Sequence, residues 1–379
     1  NDEGDFAAAA KILELPGTGL KAQADKRSAV LKTPSGQSIA GTVYNAALKT
    51  YVGKGDLKKA EEILKKIGGG STADPVNLTK LYLHLSKQML DELAKQRLGG
   101  GSNESLKGAL EGLGNFIETA ASRKEGNTMG AMSWLAEQLM KLAQDLDAVG
   151  ARPGAQAQHL YEKAASVLTK ILDRAKADPK FADERSVLGT RVRLATCQRR
   201  LGPSNSSNFQ SAIDQLTIVV KKFPKNLEAQ KAAALTFEEW AVSTTKASDK
   251  IKHYDAAVNG TKTKRRGTQV AGEQVIWGWA QLTKTTRLIP KYKQEFYYAR
   301  THWIRCRARA AFQKKDAKEL AEVERQIVAM HRTNNSLGGL EYYEDLDGVL
   351  QGLQAQLKKD VKSFRALEAE YAKRAQRKK

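Results

Sequence analysis

Cysteine, histidine and proline are scarce in this chain, and each shortage removes a class of function. Two cysteines in 379 residues cannot build a disulfide framework. Cys197 and Cys306 lie far apart inside helical patterns, where each reads as a small core residue. The five histidines (His84, His159, His253, His302 and His331) fall one per region. No His-x-x-x-His or Cys-x-x-Cys pair offers metal ligands. There is no Gly-x-Ser-x-Gly elbow, and no glycine-rich phosphate loop followed by Lys-Ser/Thr. Gly68-Gly69-Gly70-Ser71-Thr72 is glycine-rich, but it lacks the lysine and a preceding strand, so it reads as a linker. The adjacent acids Glu238-Glu239 and the group Glu341, Glu344 and Asp345 read as ordinary helix-surface carboxylates. The sequence therefore predicts a non-enzyme, with no catalytic residue, metal or cofactor.

Long apolar runs are missing too. The longest near the start is Phe6-Ala7-Ala8-Ala9-Ala10, far short of the eighteen or so residues that suggest a membrane span. The chain begins at Asn1 with neither a basic n-region nor an apolar h-region. The expectation is a soluble protein of the cytoplasm or periplasm, with an N-terminus that is processed or truncated. Alternating β patterns with paired turn signals are also absent from this reading.

What the chain does have is helical periodicity and positive charge. In 208–240, Ile213, Leu216, Val219 and Val220 recur at three- and four-residue steps, a Pro224-Lys225-Asn226 break follows, and a second helical pattern runs to Trp240. Earlier, Val43, Tyr44, Ala47, Leu48 and Tyr51 form one face, Gly55-Asp56 turns the chain, and Leu57, Ala60, Ile63 and Leu64 answer it. Met132, Leu135, Leu139, Leu142 and Leu146 repeat the pattern in 129–149, and Leu160, Ala164, Val167, Leu168 and Ile171 in 159–177. Residues 293–314 read as one long helix. About fourteen helices joined by short turns predict an all-α fold, an α-α superhelix of helical hairpins. The natural divisions are 1–37 (a helix and linker), 38–150 (near-neutral) and 151–379 (strongly basic), with Gly150 to Gly154 as the break.

Ala212 and Pro224 stand where a tetratricopeptide (TPR) repeat carries its small packing residue and its closing proline. Phe237 stands where the next repeat carries an aromatic. The chain thus resembles a TPR protein near 44–67, 187–223 and 227–258. The resemblance implies a groove lined by the first helix of each pair, in which peptides lie. Its groove candidates here are Asn45, Lys49 and Lys231; a carboxylate clamp of the family's well-known kind is not matched, because Asn45 precedes Lys49.

Charge singles out the same half of the chain. The net charge is +21, and residues 187–315 hold 25 Lys+Arg against 8 Asp+Glu. A field of one sign raises the local concentration of acidic partners. Lys293, Arg300, Arg307 and Lys314 repeat every seven residues and draw a basic stripe along their helix, with Arg305 and Arg309 forming a second. Phe296, Ala299, Trp303, Cys306 and Ala310 are the expected buried seam between them. Lys262, Lys264, Arg265 and Arg266 cluster in what reads as a polar loop. The function expected is a non-catalytic scaffold that holds an acidic protein or peptide on this basic surface. The alternatives are a polyanion (nucleic acid, anionic polysaccharide or lipid surface) or a helical segment of a larger assembly.

Overall fold

A computed structural model describes residues 6–16, 18–25, 127–147, 152–264 and 271–376, together with scattered positions between 39 and 121. Thirteen α-helices are present among the described residues: α1 Phe6–Leu13, α2 Leu20–Asp25, α3 Met129–Leu146, α4 Ala155–Ala177, α5 Glu184–Leu201, α6 Ser207–Lys222, α7 Leu227–Ser243, α8 Ala247–Asn259, α9 Gly278–Thr286, α10 Lys293–Lys314, α11 Ala317–Thr333, α12 Leu340–Gln356 and α13 Phe364–Gln376. The fold is all-α, as the periodicity predicts. Cα packing divides it into two compact units, Asn1–Thr190 and Arg191–Lys379. Among the described residues no helix is long and apolar enough to cross a membrane.

In the first unit, α3 and α4 pack along one another. They bury the faces read from the sequence, Met132, Leu135, Leu139 and Leu142 from one and Leu160, Ala164, Val167, Leu168 and Ile171 from the other, except that Leu146 in the last turn of α3 is only half-buried. Thr128 caps α3 by accepting the Ala131 N–H on its hydroxyl, which satisfies one of the orphan donors of a helix start. Nearer the N-terminus Ala47, Leu48, Tyr51, Ala60 and Ile63 are buried. Tyr51 donates its hydroxyl to Glu14 at 2.8 Å.

The second unit is built in sequence order. From α6 to α12 each helix packs on the next, and α7 on α9, α8 on α10 and α10 on α12 add next-but-one contacts. Short turns make consecutive helices antiparallel neighbours. Ala212 is fully buried in α6, beside Phe209, Leu216 and Val219. Phe209 stacks on Trp240 of α7, ring centroids 5.7 Å apart. Its ring also lies against Gly202, where an added Cβ would sit 2.4 Å from it, so the turn from α5 to α6 requires glycine there. Asn226 caps α7 by accepting the Ala229 N–H, and Asp316 caps α11 by accepting the Glu319 N–H, each at 3.0 Å. At the other end of α10, Lys315 takes a left-handed conformation (φ 54°) and returns its N–H to the last turn of the helix.

One segment departs from the sequence reading. The stretch read as a polar loop contains an antiparallel pair, β1 Thr261–Lys264 and β2 Ala271–Ile276, with Lys262 opposite Gln274. Its base is closed by contacts that no alternation pattern signals. Gly260 (φ 71°) and Gly278 (φ 65°) lie against one another's backbone, where a Cβ on Gly278 would meet Gly260 N at 2.4 Å. The buried Gln230 of α7 donates to Pro224 O and Val275 O and accepts the Trp277 N–H. Gln274 donates to Asn259 O and Trp277 O. Gly278, flanked by two tryptophans, thus serves a backbone crossing at the root of the ribbon.

Because Ala212 has no exposed surface, Ala212→Leu forces extra methylenes into a filled interior. It is expected to destabilise the second unit by about 1–3 kcal/mol, read as a lowered denaturation midpoint with unchanged slope. A neutral effect would mean that Ala212 is not at a close helix crossing.

Candidate functional site

Helix α10 is the middle of the second unit, packed against α8, α9, α11 and α12. Ala299, Thr301, His302, Ile304, Cys306, Ala308, Ala310 and Ala311 are all buried, on every side of the helix, so the expected seam of one face is too narrow. Its arginines must therefore emerge between neighbouring helices, and most find a partner there.

The partner at the centre is Glu238 of α7, 2 % exposed. One carboxylate oxygen lies 2.6 Å from His302 Nδ1 and accepts from Trp279 Nε1 of α9 at 3.1 Å. The other accepts from Arg305 Nε at 2.8 Å and has Arg309 Nη1 at 3.7 Å. Burial alone would push this carboxyl up; the charges and hydrogen bonds of His302 and Arg305 outweigh it and hold the group at about 2. An ionised carboxylate only accepts, so His302 Nδ1 carries its proton toward Glu238. Trp279 is fully buried and stacks on His302, centroids 4.6 Å apart. Arg305 continues outward to Asp345 of α12 at 2.6 Å. One network thus ties α7, α9, α10 and α12.

Cys306 lies beside it, giving a Cys–His–Glu group. The thiol is fully enclosed, and burial with the Glu238 charge pushes it well above the ordinary cysteine value, the reverse of an activated thiolate. Among the described residues no group of three or more His, Cys, Asp or Glu is arranged to hold a metal ion.

The residues of the expected basic stripes have different fates. Arg307 pairs with Glu319 and Gln326 of α11, each at 2.7 Å, and Lys314 pairs with Asp255 of α8 at 3.0 Å. Arg300 and Arg307 cover the Trp303 ring at 4.7 and 4.6 Å. Among the described residues, Arg300 donates to the Met330 sulfur alone, at 3.2 Å. Lys293 is exposed at the start of α10 and Arg309 is exposed one turn beyond Arg305. Lys231 is half-buried and pairs with Glu228 of its own helix at 2.7 Å. Lys262 is exposed on β1, and Lys264 lies on the same strand. Asn45, Lys49, Arg265 and Arg266 lie outside the described residues.

Beside α10, two groups of cations stand out after this pairing. At the α9–α10 junction, Arg287, Lys291, Lys293 and Arg300 form no ion pair with a carboxylate among the described residues. Leu288 beside them is 86 % exposed. Burial, and then the like charges of Arg287 and Arg307, lower Arg300 from the ordinary arginine value. The second group is Lys250 and Arg309, which with the paired Arg305 line a cleft between α7, α8, α10 and α12. The sequence reading placed Glu238 among helix-surface carboxylates, whereas the structure buries it, and it missed the bond from Trp279 and the cleft. A weak signal was present: Glu238 directly follows the largely apolar run Ala232 to Phe237, and a charge on that side of the helix needs a buried counterpart.

Comparison with models of known protein families gives no match, and comparison with curated proteins gives none either.

Glu238→Gln removes the charge that matches Arg305 and Arg309. It is expected to cost about 3–5 kcal/mol at neutral pH, the range for breaking a buried ion pair. Because the folded carboxyl is depressed, its contribution is complete above the unfolded value of 4.5 and fades as pH falls toward about 2. Chemical denaturation across that window should show the two proteins converging with acid; a constant gap would contradict the charge assignment.

Proposed function

We propose that this chain is a non-catalytic, TPR-like helical-repeat scaffold whose second unit holds an acidic protein or peptide. The observation that carries this reading is the unmatched group Arg287, Lys291, Lys293 and Arg300. The fold supplies carboxylates to Arg305, Arg307 and Lys314 and none to these four among the described residues. Gathering like charges against a half-buried guanidinium is unfavourable for the isolated molecule, and an acidic partner relieves it. Exposed Leu288 gives that partner an apolar contact within the same patch.

Charge balance supports the placement. Residues 191–379 carry 37 Lys+Arg against 19 Asp+Glu, so nearly all of the net +21 belongs to this unit. The consecutive packing of α6 to α12 supports a helical-repeat scaffold, and Ala212 and Phe237 sit buried where a TPR needs them. The enclosed thiol of Cys306 speaks against nucleophilic chemistry beside His302 and Glu238.

The basic ribbon β1–β2, with Lys262 exposed, favours a second reading, in which the chain grips a polyanion such as nucleic acid. A pull-down from native lysate with and without nuclease separates the two. The scaffold reading expects a discrete acidic protein that survives nuclease. Its affinity should fall at least tenfold when Arg287, Lys291 and Lys293, all exposed, are changed to Glu, with melting unchanged. Recovery of nucleic acid alone, lost at moderate salt, would favour the polyanion, and an undiminished affinity of the triple variant would remove the α9–α10 patch from consideration.

A further inference from the structure

The cleft between α7, α8, α10 and α12 has a volume of about 400 Å³. Its walls are mostly apolar. Val242 of α7 and Phe312 of α10 stand 47 and 50 % exposed on it, with Val349 and Leu353 of α12 opposite. Leaving two large side chains half in water on one concavity costs hydrophobic free energy that a ligand would recover. Glycine is the second unusual feature. Gly352 lies inside α12, where glycine disfavours the helix, and it lines the cleft. A Cβ added there would meet no atom within 4 Å, so no neighbouring group of this chain requires the glycine. What it does provide is open volume.

The third feature is charge. Lys250, Arg305 and Arg309 line the cleft, and the carboxylates bound to these side chains are Glu238 and Asp345. Lys250 forms no ion pair among the described residues, and Arg309 reaches Glu238 only at 3.7 Å while its side chain stays 45 % exposed. Three cations against two carboxylates leave one positive charge at an apolar cleft. That balance matches a single carboxylate better than a doubly charged phosphate. The volume falls at the small end of ligand pockets, about 300–1,000 Å³. The apolar surface offered is far below the roughly 800 Å² per partner of a standard protein interface.

We infer that this cleft is a binding site for a small amphiphilic monocarboxylate, its acid group on Arg309 and Lys250 and its hydrocarbon body against Val242, Phe312 and Leu353. This site is separate from the α9–α10 patch, and its ligand is of a different class from the acidic protein partner. Gly352 keeps the floor of the cleft open, and Glu238 holds Arg305 and Arg309 in place from behind.

The test is calorimetric titration of the full chain with decanoate, decanol and decylamine. Decanoate is expected to bind saturably at one site, decanol at least tenfold more weakly, and decylamine not at all. Arg309→Gln should weaken decanoate at least tenfold and leave decanol unchanged. Gly352→Leu, whose Cβ meets no neighbouring atom and whose longer side chain occupies the cleft, should abolish binding, whereas Gly352→Ala should keep it and raise the melting temperature. If the leucine variant does not fold, the Arg309→Gln and decanol comparison decides alone. Equal binding of all three compounds, or none, would overturn the assignment. So would displacement of decanoate by an acidic peptide, which would give the cleft to a protein partner. The Arg287, Lys291 and Lys293 triple variant should bind decanoate normally, so the site and the protein-binding patch can fail independently.

Discussion

A buried carboxylate sets the arrangement of the second unit. Taking Glu238 out of water is expensive, and it is tolerated only when donors surround both of its oxygens. Those donors come from different helices: Trp279 from α9, and His302, Arg305 and Arg309 from α10. Asp345 of α12 completes the set by taking the far side of Arg305. Glu238 is satisfied only where α9 and α10 both dock on α7, and Asp345 couples α12 to the same set through Arg305. Apolar packing of Ile304, Val323, Ile327, Leu346, Leu350 and Phe364 supplies the bulk of the surrounding core, but such contacts are undirected. The carboxylate gives them one geometry.

This explains how an arginine-rich helix can occupy the centre of its unit. Alanine and small polar side chains on α10 admit close neighbours, while the arginines leave between helices toward Glu238, Asp345 and Glu319. The charge that remains is therefore residual, and its location is informative. It collects at the α9–α10 junction and at the cleft beside Arg309, two places where this chain provides too few carboxylates among the described residues. Both proposed binding sites follow from that one balance.

Much of the scaffold was legible in the sequence. The faces of α3, α4 and α6 could be read from apolar spacing, because each buries one continuous apolar stripe. The bounds of α10 match the residues expected, Lys293 to Lys314. The meaning of its seven-residue basic row was not legible, since the partners of Arg305 and Lys314 lie 67 and 59 residues earlier in the chain. Spacing within one helix cannot report a counter-charge on another. The β ribbon escaped for a related reason: it depends on Gly260, Gly278 and the buried Gln230 meeting in space, and not on alternation within Thr261–Lys264.

The most direct measurement is a titration of the Glu238 side-chain carboxyl by carbon-detected NMR, assigned by comparison with Glu238→Gln. An enclosed carboxylate held by His302 and Arg305 should titrate near 2, well below the ordinary 4.5. A midpoint at or above the ordinary value would mean that the group is either solvated or buried without its partners. The second unit would then need a different organising contact.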